Sequence, residues 1–281
     1  SLHAHHQLQR RHLAEMQRRR QPGGGIDGRV VPALSVMRRG IGGKGVQARM
    51  RAALASSERL GQVTADWADD RIMEAMGAKG AHPEGRFFPD TYLFTSSETD
   101  LDLLRRAFER MEEVLATEWQ AKAENLPYDA PYDALIMASI VERETGAVHE
   151  REEVAGVFVR RLEKGMRLQT DPTVIYGMGE KYQGRITRKD LRTHTDYNTY
   201  RIDGLPPTPI ALPGREAIHA ALNPAEGDTL YFVARGDGTH KFSKTLAEHQ
   251  KAVRAFQLNR RSDYRSSPAP SPDTTAEEGG Q

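Results

Sequence analysis

Cysteine is absent from the 281 residues, which excludes disulfides, thiolate nucleophiles and cysteine metal sites but leaves the compartment open. Neither sign of charge prevails: 40 Lys and Arg stand against 39 Asp and Glu, so bulk charge points to no particular partner. Long apolar runs are also missing. The longest, residues 134–141, is interrupted by Ser139 and falls far short of the roughly 20 residues that span a bilayer, so no membrane anchor is visible. No apolar segment follows Arg18, Arg19 and Arg20, so the amino end does not read as a signal peptide. What remains is the composition of a globular chain, 38% apolar and 28% charged, long enough for one substantial domain and a smaller one.

Residues 1–45 are rich in Arg, His, Gln and Gly and read as an unpacked basic segment. Residues 261–281 collect Ser, Pro, Thr, Glu and Gly and read as a disordered tail. Between them, short helices are expected over 46–60 and 69–76. A long one is expected over 100–122, where Leu101, Leu104, Phe108, Met111, Val114 and Leu115 recur at helical spacing. Pro127 and Pro131 break it, and Asp133 suits the cap of a further helix that ends by Gly146. Another helix is expected over 149–164, stopped by Gly165, with Arg160 and Arg161 near its carboxyl end. Beyond it, short strands are favoured, including a hairpin around Gly236, Asp237 and Gly238, and then a closing helix over 246–258. Helices and strands are segregated, an α+β pattern.

The chemistry-bearing segment is the end of the helix after Asp133, where Glu142 and Glu144 follow an apolar run. At 3.6 residues per turn they project about 200° apart, so they do not easily converge on one bond as a glycosidase carboxylate pair does. Glu142 shares a face with Leu135, Ala138 and Ser139. That apolar face and the carboxyl end of the helix dipole both disfavour its charge, which suits a general acid. From spacing alone, the favoured reading is an ordinary glutamate that faces solvent at a helix end and pairs with Arg143 or Lys164. Gln169, Thr170 and Asp171 lie between the Gly165 stop and a new helix near Pro172, where they either present side chains to a ligand or simply cap that helix. Tyr197 and Asn198 offer an aromatic face and an amide suited to sugars, against the alternative of a buried loop anchor. Tyr176 reads as core.

Several blocks of sequence extend this reading: ASIVERET at 138–145, GMRLQTDPTVIYG at 165–177, YNTY at 197–200 and GLPP at 204–207, with EGRFFPDTY at 84–92, ALNP at 221–224 and LYFVA at 230–234 in support. In this order they resemble the endolytic murein transglycosylase family, YceG-like proteins, across roughly residues 47–256. The resemblance implies a YceG-like catalytic domain over 96–260, preceded at 46–95 by the remnant of a small LysM-like subdomain. It implies a bacterial inner-membrane protein with its catalytic part in the periplasm. Neither the family's anchor nor the first strands of its small domain are recognisable before Val46. The implied reaction cuts peptidoglycan glycan strands between N-acetylmuramic acid and N-acetylglucosamine, leaves 1,6-anhydromuramic ends and terminates nascent strands. Glu142 matches the catalytic glutamate in this reading, and Glu144, Gln169, Thr170, Asp171, Tyr197 and Asn198 touch substrate. No cofactor or metal is expected. Glycan strands are the partner, with peptidoglycan synthases as further candidates. The rival is a peptidoglycan-binding protein without activity.

Other signals carry less. GIGGKG at 40–45 lacks the Ser or Thr that a P-loop needs after its lysine, so nucleotide binding is not expected. The basic amino end reads as a solvated tail, not a nucleic-acid site, and His3, His5 and His6 have no partner ligand set elsewhere. The pyridoxal-phosphate chemistry of an aminodeoxychorismate lyase would need a lysine and phosphate cup that are not evident.

Overall fold

The computed structural model describes residues 46–258 except 56, 58, 59 and 96; the segments 1–45 and 261–281, with the glycine-rich and histidine motifs in the first, lie outside the described residues. The elements run α1 (Val46–Ala55), α2 (Asp69–Ala75), α3 (Asp100–Gln120), α4 (Pro131–Glu144), a 3-10 turn, α5 (Arg151–Glu163), α6 (Asp171–Met178), α7 (Arg188–Arg192) and α8 (Arg215–Leu222). The hairpin β1 (Tyr231–Ala234) and β2 (His240–Ser243) follows, then α9 (Leu246–Val253), which ends in a π turn at Arg254–Leu258. Among the described residues this is a helical fold with one small antiparallel sheet.

Helix α3 is 21 residues, about 32 Å long, and starts at a reciprocal cap in which Thr99 Oγ1 accepts from the Asp102 amide and Asp102 accepts from the Thr99 amide. Buried Asp100 accepts from the Val63 amide at 2.8 Å and from Thr64 Oγ1 at 2.6 Å, fastening the 61–64 loop to the helix start. The first half of α3 packs Leu103, Leu104, Ala107 and Phe108 into a core with Met50, Ile72, Met73 and Phe87. Its second half sends Met111, Val114 and Leu115 into a second, larger core. One helix therefore bolts the two cores together.

Helix α4 is the centre of the larger core: residues 134–142 are all buried. It begins three residues earlier than a cap at Asp133 would allow. Pro131 occupies the first turn, and Asp133 reaches back from inside the helix to accept from the Ala130 and Asp129 amides, both at 3.0 Å. Its main neighbour is α8, which the sequence reading leaves unassigned because two turns, though amphipathic, are too short to stand out. Ala217, Ile218, Ala221 and Leu222 of α8 are buried there. Helix α7, of five residues, escaped for the same reason.

Helix α5 stops where expected, at Gly165 with φ +62, the left-handed backbone that glycine adopts without strain. Arg160 and Arg161 in its last turn are tethers, not surface charges. Arg160 donates to the Ala225 and Thr229 carbonyls and Arg161 to the Leu230 carbonyl, each at 2.8 Å, so they hold the approach to β1. The hairpin pairs Tyr231 with Ser243 and Ala234 with His240, its turn closed by Gly236 and Gly238 at φ +92 and +91. Phe232 meets Phe158 of α5 edge-on at 5.6 Å, which docks the hairpin on the larger core.

Candidate active site

The two glutamates at the end of α4 diverge, as their spacing requires, but the apolar face that carries Glu142 points into the core and not into a cleft. Glu142 is buried; its Oε1 pairs with Arg151 Nη2 at 3.2 Å, and its Oε2 accepts from the Gly214 amide at 3.0 Å. Arg151 is equally buried and reaches Glu216 at 3.5 Å. Gly214 is the residue before α8, so Glu142 accepts one of the amides that a helix start leaves without an intrahelical partner, and its charge suits the positive end of that dipole. Both oxygens are committed to the fold, and Glu142 does not line the cavity described next. The sequence reading places a cleft-facing acid at Glu142; the structure sets its carboxylate in the core, because a helix packed on all sides offers only its tip to a cavity.

That tip is Glu144. It lines a cavity of about 370 Å³, within the usual range for small-ligand sites, between the last turns of α4 and α5, the 168–171 segment and the hairpin. Burial pushes its carboxyl up from an ordinary 4.5 to about 7. A hydrogen bond from Thr170 Oγ1 opposes that rise, the charge of Asp171 adds to it, and Arg143 offsets part of it. The group is thus poised between acid and base near neutrality, the condition that favours proton transfer in both directions.

The segment beneath it is held firmly. Gln169 sits at φ +55, unusual for a side-chain-bearing residue, and its amide donates to the Thr199 carbonyl at 3.2 Å. The Thr170 amide donates to Thr199 Oγ1 at 3.1 Å, and that hydroxyl also meets Thr173 Oγ1 at 2.8 Å. Gln169, Thr170 and Asp171 all line the cavity together with Glu144. Asp171 is the first residue of α6, one past its cap Thr170, makes no capping hydrogen bond, and accepts from the Tyr200 hydroxyl at 2.7 Å.

Tyr197 and Asn198 do not join this group. Asn198 is buried, its amide nitrogen donating to the carbonyls of Asp190 and Thr193 at 3.1 and 2.6 Å while its oxygen accepts from the Tyr200 amide at 3.0 Å. It is the loop anchor, because an amide saturated by backbone carbonyls has nothing left for a ligand. Tyr197 packs its ring on Tyr176 at 4.8 Å and shares a hydrogen bond with Thr208 at 2.8 Å, away from the lining. The aromatic residue of that block that reaches the cavity is Tyr200. Sequence reasoning also missed the wall opposite. His240 on β2 lines the cavity and is clamped by buried Glu150, which accepts from its amide at 2.9 Å and meets Nδ1 at 2.8 Å. Arg161, Tyr231 and His249 line the same side. The YNTY block carried a signal for Tyr200 and the LYFVA block for Tyr231, whereas His240 and His249 had none.

The chain is similar to several known proteins. The profile described as the YceG-like family matches residues 32–255. A Bacillus subtilis protein named endolytic murein transglycosylase is 36% identical over 198 residues, 70% of this chain and 54% of its own. A Streptococcus pneumoniae protein of the same name is 31% identical over 176 residues, 60% of this chain and 31% of its own. The chain thus spans about half the length of the first relative and about a third of the second. The crystal structure of a yceG-like protein from Listeria monocytogenes superposes with a TM-score of 0.61 at 30% identity, covering 75% of this chain and 73% of that one.

Proposed function

The chain belongs to the YceG-like family, and on that footing we propose that it is an endolytic lytic transglycosylase, a lyase that cuts peptidoglycan glycan strands between N-acetylmuramic acid and N-acetylglucosamine, with Glu144 as its acid and base. The observation that carries this reading is the partly desolvated carboxyl in the cavity, raised to about 7. The name shared by its curated relatives supplies the substrate.

One carboxyl group suffices for the reaction. Protonated Glu144 gives its proton to the glycosidic oxygen as the bond from C1 of the muramic residue breaks, and the N-acetylglucosamine leaves with a free hydroxyl. The muramic C6 hydroxyl oxygen then bonds to C1, and its proton passes to the Glu144 carboxylate, which restores the acid. No water enters and no enzyme-bound nucleophile forms. Gln169, Thr170, Asp171 and Tyr200 would position the sugars. Asp171 is the second carboxylate that a hydrolase would enlist, so the products decide between the two chemistries.

In the same reading, residues 96–260 form the catalytic domain, and 46–95 the remnant of a LysM-like subdomain fastened to it through α3. The enzyme would act on the periplasmic side of the inner membrane, where it terminates nascent strands made by a peptidoglycan synthase. Among the described residues no helix is long and apolar enough to cross a membrane. Incubation with purified sacculi followed by mass spectrometry tests the reaction. Anhydro-ended fragments are expected. Reducing ends would mean hydrolysis, and binding without release would mean an inactive peptidoglycan-binding protein.

A further inference from the structure

The cavity holds a cation that the reaction above does not use. Arg161 is only 6% exposed, yet it lines the cavity that contains Glu144. Its Nε donates to the Leu230 carbonyl, and its Nη1 donates to the Leu168 and Arg167 carbonyls at 2.7 and 3.0 Å and meets Gln169 Oε1 at 3.5 Å. Every one of these acceptors is neutral. Nη2 has no acceptor, and no carboxylate among the described residues pairs with this guanidinium. A buried cation held only by carbonyl dipoles keeps most of its desolvation cost, which a counter-charge would offset.

A second unmet group stands beside it. The Arg161 guanidinium lies 5.1 Å over the Tyr231 ring, and His249 stacks on that same ring at 5.3 Å and 22°. His249 also lines the cavity, and its Nδ1 is buried without a hydrogen-bond partner. Burial first, and the Arg161 charge second, hold its pKa below the ordinary value, which is the behaviour of an imidazole facing a cation with no anion present. An anionic acceptor in the cavity would answer the Arg161 charge and relieve the charge that acts on His249.

We propose that Arg161, with His249 beside it, binds a carboxylate of the glycan substrate and so selects which strands the cavity accepts. This rests on the transglycosylase reading. The same rigid segment carries both poles of the site, since the Leu168 carbonyl holds Arg161 and Thr170, two residues on, holds Glu144. Peptidoglycan offers two carboxylate sources. One is the lactyl group on O3 of a muramic residue stripped of its peptide, and the other is a carboxylate on an intact stem peptide. Both present the planar pair of oxygens that a guanidinium recognises.

Binding separates these sources without any cutting. The full chain carrying Glu144→Gln is titrated by calorimetry with soluble peptide-free strands, with the same strands after their lactyl carboxylates are converted to methyl amides, and with peptide-bearing strands before and after amidation. Weakening by about tenfold or more on lactyl amidation identifies the lactyl group, and the same loss confined to amidated stem peptides identifies the peptide. Either loss should vanish when Arg161→Gln is added. The strand comparison needs no arginine variant, so it stands even if Arg161→Gln fails to fold. Equal binding of charged and amidated strands of both kinds overturns the anion site while leaving the product chemistry untouched. Reducing ends from sacculi would sink the transglycosylase reading and leave the measured carboxylate preference in place. Strands that bind in no form would overturn both.

Discussion

On the flank of α4 that packs against α8, Glu142 gives one oxygen to the Arg151 guanidinium and the other to the Gly214 amide. On the flank that meets the 168–171 segment, Glu144 has a threonine hydroxyl for a partner and another carboxylate for a neighbour. Both belong to the same helical turn, and both are largely removed from water. What separates them is the partner. A carboxylate balanced by a buried cation and an amide serves the fold, whereas one whose desolvation is only partly offset, by Thr170 and Arg143, carries a proton near neutral pH and can pass it on. Burial alone does not mark a catalytic acid.

The sharpest way to break this comparison is to remove each carboxyl in turn. Glu144→Gln is expected to lower turnover on glycan strands by roughly a hundred- to ten-thousandfold, the usual worth of a general acid and base, with the circular dichroism of the parent retained. Glu142→Ala is expected to act on the other axis. It strands a buried guanidinium and costs about 3–5 kcal/mol in urea unfolding, while turnover per folded molecule stays within a few-fold of the parent.

The two variants should also differ in how stability depends on pH. The Glu144 carboxyl is raised in the folded chain, so the native state holds its proton more tightly than the unfolded chain does. Its contribution is complete at acid pH and is lost as pH rises from its ordinary 4.5 through about 7. Thermal unfolding of Glu144→Gln across that window should show a weaker decline than the parent, so the variant gains relative stability above pH 7 as it loses activity. Unchanged pH dependence would mean that the carboxyl is not desolvated.

Smaller shifts sharpen the account of Glu144 itself. Activity should fall on the alkaline side as the proton is lost near pH 7. Thr170→Val removes the hydrogen bond that stabilises the carboxylate and should move that limb upward. Asp171→Asn removes the charge that opposes ionisation and should move it downward. Limbs that stay in place in both variants would place the titrating group elsewhere.

Much of this was legible in the sequence, for reasons visible in particular elements. Helices α3, α4 and α5 are long enough for apolar spacing to show, and Gly165, Gly236 and Gly238 mark turns that their backbone angles require. Gln169, Thr170 and Asp171 follow directly from lying between a helix stop and a helix start, and they do meet at the cavity. The division of labour between Glu142 and Glu144 was not legible. It depends on α8, too short to stand out in the sequence, and on the Gly214 amide just before it, which claims Glu142 across 72 residues of chain. Nor could the pattern separate Asn198 from Tyr200. Which of two polar side chains in one short block turns inward is decided by the backbone carbonyls that happen to surround it, here those of Asp190 and Thr193.

The most direct test places the two glutamates side by side. Purified sacculi are treated with Glu142→Gln and with Glu144→Gln, each normalised to folded protein, and the released fragments are read by mass spectrometry. Anhydro-ended fragments should come from the first variant and none from the second. Fragments released by Glu144→Gln and withheld by Glu142→Gln would contradict the assignment.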